Sequence, residues 1–356
     1  MNIRTLSVAL LLLTCWPRVS GADEFFGALD TPYLQGRGFQ FADGKLTLGG
    51  YTSFRYRNEK GEKPVFDFRD LSFLLNWRPA PDWRLFAEAE FGEIAVIKSG
   101  TIDDSAREFD LERSYAEYSA SPNMRLRFGK SLTPIGYWNQ IHAAPLVWSV
   151  TRPWSSTAPF ARHTTGASIN GVIHTDTVDF DYVLYGDNSK FLDPDRIDAS
   201  GEGGTGINPN NNFDNGAGFR LVANLFNRDL SIGLSLAHFK ISGLEDRKDF
   251  VGLDAMWHLD DTELSAAALR RNSRGKELDE WGAYIQIATP VAENLYVFAR
   301  HERVKNSLPA ISANVSNIGI NYHPIPPVAL KLEYRYGHNN DAFATDAWLA
   351  SFDVLF

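Results

Sequence analysis

Asp346-Ala-Trp-Leu-Ala-Ser-Phe-Asp-Val-Leu-Phe356 alternates along its length. Trp348, Ala350, Phe352, Val354 and Phe356 fall on one face of an extended strand, and Ser351 and Asp353 fall on the other. Such a run suits a strand with one apolar and one polar surrounding. Taken alone, it fits the edge of a soluble β-sandwich as well as it fits the last strand of a membrane barrel. The remainder of the chain separates the two.

Residues 1–22 carry the features of a secretory signal. Arg4 supplies the positive start, Leu6 to Trp16 the apolar core, and Ser20-Gly21-Ala22 the small-residue cleavage site. The apolar stretch is too short to span a bilayer as a helix. Cys15 is the one cysteine of the chain, and Thr14 and Trp16 beside it fit a lipid-anchor site poorly. Without the signal the chain has no disulfide, so its stability must come from elsewhere than covalent staples. Loss of Arg4 and Arg18 takes the formal net charge from -9 to about -11, which argues against nucleic acid as a partner.

No run of the mature chain has a long helical apolar period, and none is long enough for a transmembrane helix. Alternation instead recurs in strand-length pieces. Leu46, Leu48, Thr52, Phe54 and Tyr56 share a face, as do Trp83, Leu85, Ala87, Ala89 and Phe91; Arg84, Phe86, Glu88 and Glu90 oppose the latter set. Strands are expected near 45–56, through 71–77, then at 83–91, 109–119, 124–131, 163–173, 177–186, 217–226, 229–240, 249–258, 262–271, 280–289, 294–303, 313–322, 328–336 and 346–356. That makes sixteen, with fourteen and eighteen as the neighbouring even counts. Every second connection is short, such as 78–82 and 119–123, and the others are longer, above all 132–162 and 187–216. Short turns on one rim and long loops on the other are the signature of an outer-membrane β-barrel. The 13% aromatic content suits its two interfacial girdles.

A pore works by its lining, so the third long loop is the candidate site. Segment 132–162 holds Tyr137, Trp138, Trp148, Trp154 and Phe160, too many large apolar groups for a solvated loop. It is expected to fold into the lumen. No acidic residue occurs between Glu117 and Asp176, whereas Arg125, Arg127, Lys130, Arg152, Arg162, His142 and His163 do. These seven are the candidates for an anion-attracting constriction, with Glu88, Glu90 and Glu117 as the groups that could neutralise them. The Gly/Asn-rich stretch 199–218 lacks the strand, helix and Lys-Ser/Thr of a phosphate loop and is expected to be an outer loop. His301-Glu302, and His258 with Asp260 and Asp261, are fragments of hydrolase chemistry without partners at the required spacing. No metal or cofactor motif is present.

Leu111-Glu-Arg-Ser-Tyr-Ala-Glu-Tyr118, Met124-Arg-Leu-Arg-Phe-Gly-Lys130 and Thr133-Pro-Ile-Gly136, with Phe68 to Phe73 and Trp83 to Phe91, resemble the phosphate-selective porin O/P family of bacterial outer-membrane porins. The resemblance extends over roughly 45–175. It implies a sixteen-stranded barrel, a homotrimer and passage of phosphate or other small anions. The long arginine ladder and lysine cluster of that family are not evident here.

The expected molecule is an all-β, transmembrane, antiparallel up-and-down barrel with an inward third loop. Its parts are a signal peptide at 1–22, a leader at 23–44 and the barrel at 45–356. The expected function is passive diffusion of small hydrophilic solutes, with anion preference, across the outer membrane of a Gram-negative bacterium. The alternative is a barrel sleeve that holds a partner protein without a free pore. Expected partners are outer-membrane lipid and lipopolysaccharide, the solutes themselves, and the barrel assembly machinery through the last strand, whose Trp348, Phe352 and Phe356 would close the barrel facing lipid.

Overall fold

The computed structural model describes residues 33–34, 36–103, 107–141, 143–156, 160–193, 212–243, 245–274, 279–307, 310–338 and 345–356. The signal expected at 1–22 lies outside the described residues. Sixteen antiparallel strands follow one another in chain order: β1 (Leu46–Glu59), β2 (Val65–Ala80), β3 (Trp83–Lys98), β4 (Glu108–Ser121), β5 (Met124–Leu132), β6 (His163–His174), β7 (Asp179–Asp187) and β8 (Phe213–Leu225). The second half is β9 (Leu230–Ile241), β10 (Arg247–Leu259), β11 (Thr262–Ser273), β12 (Asp279–Ala292), β13 (Leu295–Ser307), β14 (Ala310–Tyr322), β15 (Val328–His338) and β16 (Ala347–Leu355). Each strand pairs with the next, and β16 pairs with β1, so the sheet closes into a barrel.

Burial inverts the usual pattern of a globular protein. Phe73, Trp77, Phe128, Ile285, Ile318 and Trp348 are exposed, whereas Arg55, Glu88, Glu112, Arg300, Lys331, Glu333 and Asp353 are buried. Alternation explains this: outward side chains meet lipid and inward ones meet a polar lumen. Aromatic pairs such as Trp83 with Tyr118 (5.1 Å) and Tyr334 with Trp348 (4.9 Å) reinforce the outward face.

The seam follows from the terminal run. Ala350 lies opposite Tyr56, Phe352 opposite Phe54 and Asp353 opposite Ser53. Phe356 completes the ladder, its N–H donating to Gly50 O (2.9 Å) and its carbonyl accepting the Gly50 N–H (2.8 Å). The Phe356 ring lies over Gly50 and meets Phe73 edge-on at 6.1 Å. A Cβ at Gly50 would stand 2.6 Å from that ring and 2.1 Å from Ser72 O, so the position requires glycine. The described part of the leader adds a small hairpin here, Tyr33–Leu34 pairing with Gly38–Phe41 and the latter with Leu46–Leu48 of β1.

Two differences from the sequence reading bear on the site. First, β13 and β14 run on to Ser307 and Ala310, leaving only 308–309 between them where a longer loop was expected. Lys305 occupies an outward position, and its charge, following that of Arg303, disguised the end of a strand whose inward Val304 is buried. Second, β-bulges interrupt the alternation. The extra residue is Arg69 on β2 and Glu112 on β4, because Asp70 and Phe68 pair with Ser53 and Phe54, and Leu111 and Arg113 with Ala89 and Glu88. A bulge re-aims one side chain without breaking the barrel.

Removal of Phe356 deletes the last ladder pair and the cap over Gly50. The truncated chain is expected to refold into liposomes in lower yield and to lose its folded electrophoretic form at lower temperature, with unchanged conductance in the fraction that folds. Full-length behaviour of the truncated chain in the refolding assay would refute this account of the seam.

Candidate functional site

The loop 133–162 leaves β5, enters the lumen and returns to β6. Its neck is tied by Thr133 N–H to Arg162 O (2.8 Å), Thr133 Oγ1 to Ala161 O (2.7 Å) and Asn139 Nδ2 to Thr133 O (2.7 Å). Ile135, Phe160 and Ala161 pack on an apolar pad formed inside the barrel by Tyr185, Phe213, Phe239, Phe250 and Leu269. Trp138 is buried with Val147 against Ala267 and Tyr284, with Tyr137 and Ile141 at the edge. Burial, with Glu263 adding, pushes the Tyr137 hydroxyl up to about 12, so it stays a neutral filler. Trp148 stacks on Tyr296 at 4.7 Å, and Trp154 is buried. The four expected loop-shaping residues thus all lie on the inward loop, which spans the lumen to the opposite wall.

Polar contacts fasten the tip there. Glu333 of β15, fully buried, accepts the N–H groups of Val150 (2.7 Å) and Thr151 (3.1 Å), the Thr151 hydroxyl and the Asn317 amide. Arg300 of β13 donates to Ser149 Oγ (2.9 Å) and to Thr151 O and Oγ1 (both 2.8 Å). Lys331 donates to Ala144 O (2.6 Å), Asn321 to Val147 O (3.3 Å) and Trp148 O (3.2 Å), and Ser155 N–H to Glu302 (3.3 Å). Gly282 of β12 permits this last approach, since a Cβ there would stand 2.6 Å from the Ser155 side chain.

Between the tip and the seam lies a narrow recess of about 40 Å³. Its lining includes Arg55, Arg57, Arg69, Arg152, Lys331 and Arg335, with Glu59, Asp70 and Asp353 as the carboxylates. Asp67 serves two guanidiniums, Arg55 (3.0 Å) and Arg57 (3.5 Å), while Arg69 pairs with Asp70 (3.0 Å), Arg335 with Glu59 (3.2 Å) and Lys331 with Asp353 (3.0 Å). Arg152 turns back into its own loop, donating to the carbonyls of Trp138 (3.2 Å) and Ile141.

Of the expected constriction residues, Arg152 lines this recess. The other described ones lie along β5 and β6 or at the loop root. Arg127 forms an ion pair with Glu117 (2.7 Å) and lies over the Tyr115 ring (4.2 Å). Lys130 pairs with Asp110 (3.1 Å) and Asp193 (3.7 Å), and His163 Nε2 lies 2.6 Å from Glu112 Oε2. Arg125 is exposed, Arg162 is half-buried at the neck, and His142 lies outside the described residues. The acid-free stretch of sequence therefore meets its carboxylates across the ladder from β4. The residues missed were Arg55, Arg57, Arg69, Lys331 and Arg335. For Arg55, Arg57, Lys331 and Arg335 the signal was inward alternation on β1 and β15, strands that converge only once the barrel closes, whereas Arg69 is a bulge residue of β2 outside any alternation.

No family model matches the chain. A protein of Aquifex aeolicus (strain VF5), described as uncharacterized, is 26% identical over 367 residues, covering 87% of this chain and 80% of that one. Solved structures of similar fold include OmpF of Salmonella typhi (12% identity, TM-score 0.59, covering 87% of this chain and 97% of that one). An anion-selective porin from Comamonas acidovorans matches at 14% identity and TM-score 0.58, covering 87% and 99%. The outer membrane channel DcaP of Acinetobacter baumannii matches at 12% identity and TM-score 0.58, covering 90% and 100%. The chain has the fold of the bacterial outer-membrane porins.

Glu333→Ala strands the buried N–H groups of Val150 and Thr151 and the Asn317 amide at the loop tip, while Arg300 keeps Glu302 at 3.5 Å. The cost is expected to be about 3 kcal/mol. Thermal unfolding should shift down and single-channel recordings should become noisier as the tip loosens; quiet wild-type-like traces would show that the tip is held by other contacts.

Proposed function

We propose that the protein is a passive pore of the outer membrane for small hydrophilic solutes, preferring anions, with its selectivity set at the recess between the loop tip and β1, β2 and β15. The carrying observation is the charge balance there: Arg55, Arg57, Arg69, Arg152, Lys331 and Arg335 against Glu59, Asp67, Asp70 and Asp353. In a narrow space with low-dielectric walls, an excess of fixed cations raises the local anion concentration. Guanidinium forks also match the geometry of oxyanions, which supports phosphate and carboxylates among the solutes, in line with the O/P resemblance. Arg127, Lys130 and His163 contribute less on this reading, because each is matched by a carboxylate from β4. The same resemblance supports a homotrimer, and β16 is the segment offered to the barrel assembly machinery.

The protein reconstituted in planar bilayers under a potassium chloride gradient tests this. Wild type is expected to give an anion-side reversal potential, and inorganic phosphate should reduce the chloride current. Arg57→Glu with Arg69→Glu should move the reversal potential toward cation preference, whereas Arg127→Glu should move it far less. A reversal potential indifferent to the double change would refute the assignment, and the absence of any conductance would favour the sleeve.

A further inference from the structure

The outer wall of β11 to β14 departs from the rest of the lipid-facing surface. On β2 the outward positions are apolar from Trp77 through Phe73 to Phe66. On β13 they run Leu295, Val297 and Ala299, then His301, Arg303 and Lys305, all three exposed. β14 matches with Ser316 and Asn314 above Ile318, and β11 with Arg270 above Ala268. At ~3.3 Å per residue and a tilt of ~40°, His301 stands ~15 Å and Lys305 ~25 Å above Leu295. The cations thus begin within the outer half of the apolar band and end at its outer edge.

Their arrangement is ordered. Arg270, Trp281 and Lys305 are register partners across β11, β12 and β13, and the Arg303 guanidinium lies 5.5 Å from the centre of the Trp281 ring. Below this row a groove of about 540 Å³ opens between Leu264, Ile285 and Ile287 on one side and Ile318 and Tyr334 on the other. Ala299 forms its middle, because Ile287, Ala299 and Ile318 are register partners and the central one is small. His301 Nδ1 and Ser316 Oγ, 2.9 Å apart, lie at its upper end.

We propose that this wall seats a phosphorylated glycolipid of the lipid A type from the outer leaflet. Its phosphate sits against Arg270, Arg303 and Lys305, and one acyl chain fills the groove over Ala299. Tryptophan beside cations at the interface suits a headgroup with a sugar and a phosphate. Charge complementarity selects this occupant over a second copy of the chain. Among the described residues, the outward carboxylate Asp249 of β10 is already held by His238 and Arg274 (both 2.7 Å), and the outward ladder positions of β1, β2, β5, β6 and β16 hold none that could meet the cationic row.

The inference rests on the outer-membrane pore proposed above, with its long-loop rim facing outward, so conductance is recorded on the same preparations; a protein that binds no lipid but still conducts refutes only the lipid site. Native mass spectrometry of the detergent-refolded protein is run with bis-phosphorylated lipid A, its dephosphorylated form and phosphatidylglycerol. One bis-phosphorylated lipid A per barrel is expected, held at least ten-fold more tightly than either comparison lipid. Arg303→Ala with Lys305→Ala should weaken it about ten-fold, and Ala299→Trp should weaken it with the cations intact, both with wild-type conductance. Equal binding of the dephosphorylated lipid or of phosphatidylglycerol, or wild-type binding by the double variant, overturns the proposal. Loss of a multimer in place of lipid on the double variant also overturns it and assigns the wall to a second copy.

Discussion

The ladder between β16 and β1 is the interaction on which the rest of the molecule depends. A sheet edge in hydrocarbon leaves backbone N–H and C=O groups with no water to receive them, and closure is the only arrangement of strands that removes the edge. Closure also divides the side chains between two solvents. Each residue of an uninterrupted strand faces either lipid or lumen, which is why Arg55, Lys331 and Asp353 are buried while Phe73 and Trp348 are exposed. The lumen so formed encloses many buried ionic side chains. Its charges are accordingly met by opposite charges or by backbone dipoles.

The inward loop shows what that second kind of partner accomplishes. It carries no carboxylate, yet it lands on a wall rich in buried ionic groups. Its amides and carbonyls act as the counter-groups: Val150 and Thr151 N–H for Glu333, Ala144 O for Lys331, Thr151 O for Arg300. An acidic residue at the tip would face Glu333 and Glu302 across a few ångströms. The absence of acidic residues from the loop is thus explained by the docking of a neutral backbone on buried carboxylates.

Alternation made the fold readable from the amino-acid sequence: strand number, closure by the terminal run and the inward third loop all follow from period-two patterning and connection length. Where patterning fails, so did the reading. Lys305 looked like loop because it places charge on the lipid side, and Arg69 and Glu112 are bulge residues that no regular period can place. The site was half legible for a different reason. Aromatic crowding marked the loop, and Arg152 on it lines the recess. Arg127, Lys130 and His163 stood out because their neighbours in sequence lack acids, but a barrel compensates charge across strands, here from Glu117, Asp110 and Glu112. The basic recess draws on Arg55, Arg57 and Arg69 near one end of the chain and Lys331 and Arg335 near the other, a separation that no local window spans.

That separation has a consequence for the order in which the molecule acquires its properties. Five of the six recess cations come from β1, β2 and β15, and the sixth from the loop that leans on β13 and β15. A barrel still open at its seam already possesses a lumen and the neck of the loop, but β15 does not yet stand near β1. On the proposed assignment, ion discrimination is therefore the last property to form as the barrel closes. A chain arrested one strand short would hold a lumen and a tethered loop without the apposition of β15 and β1 that assembles the charged recess.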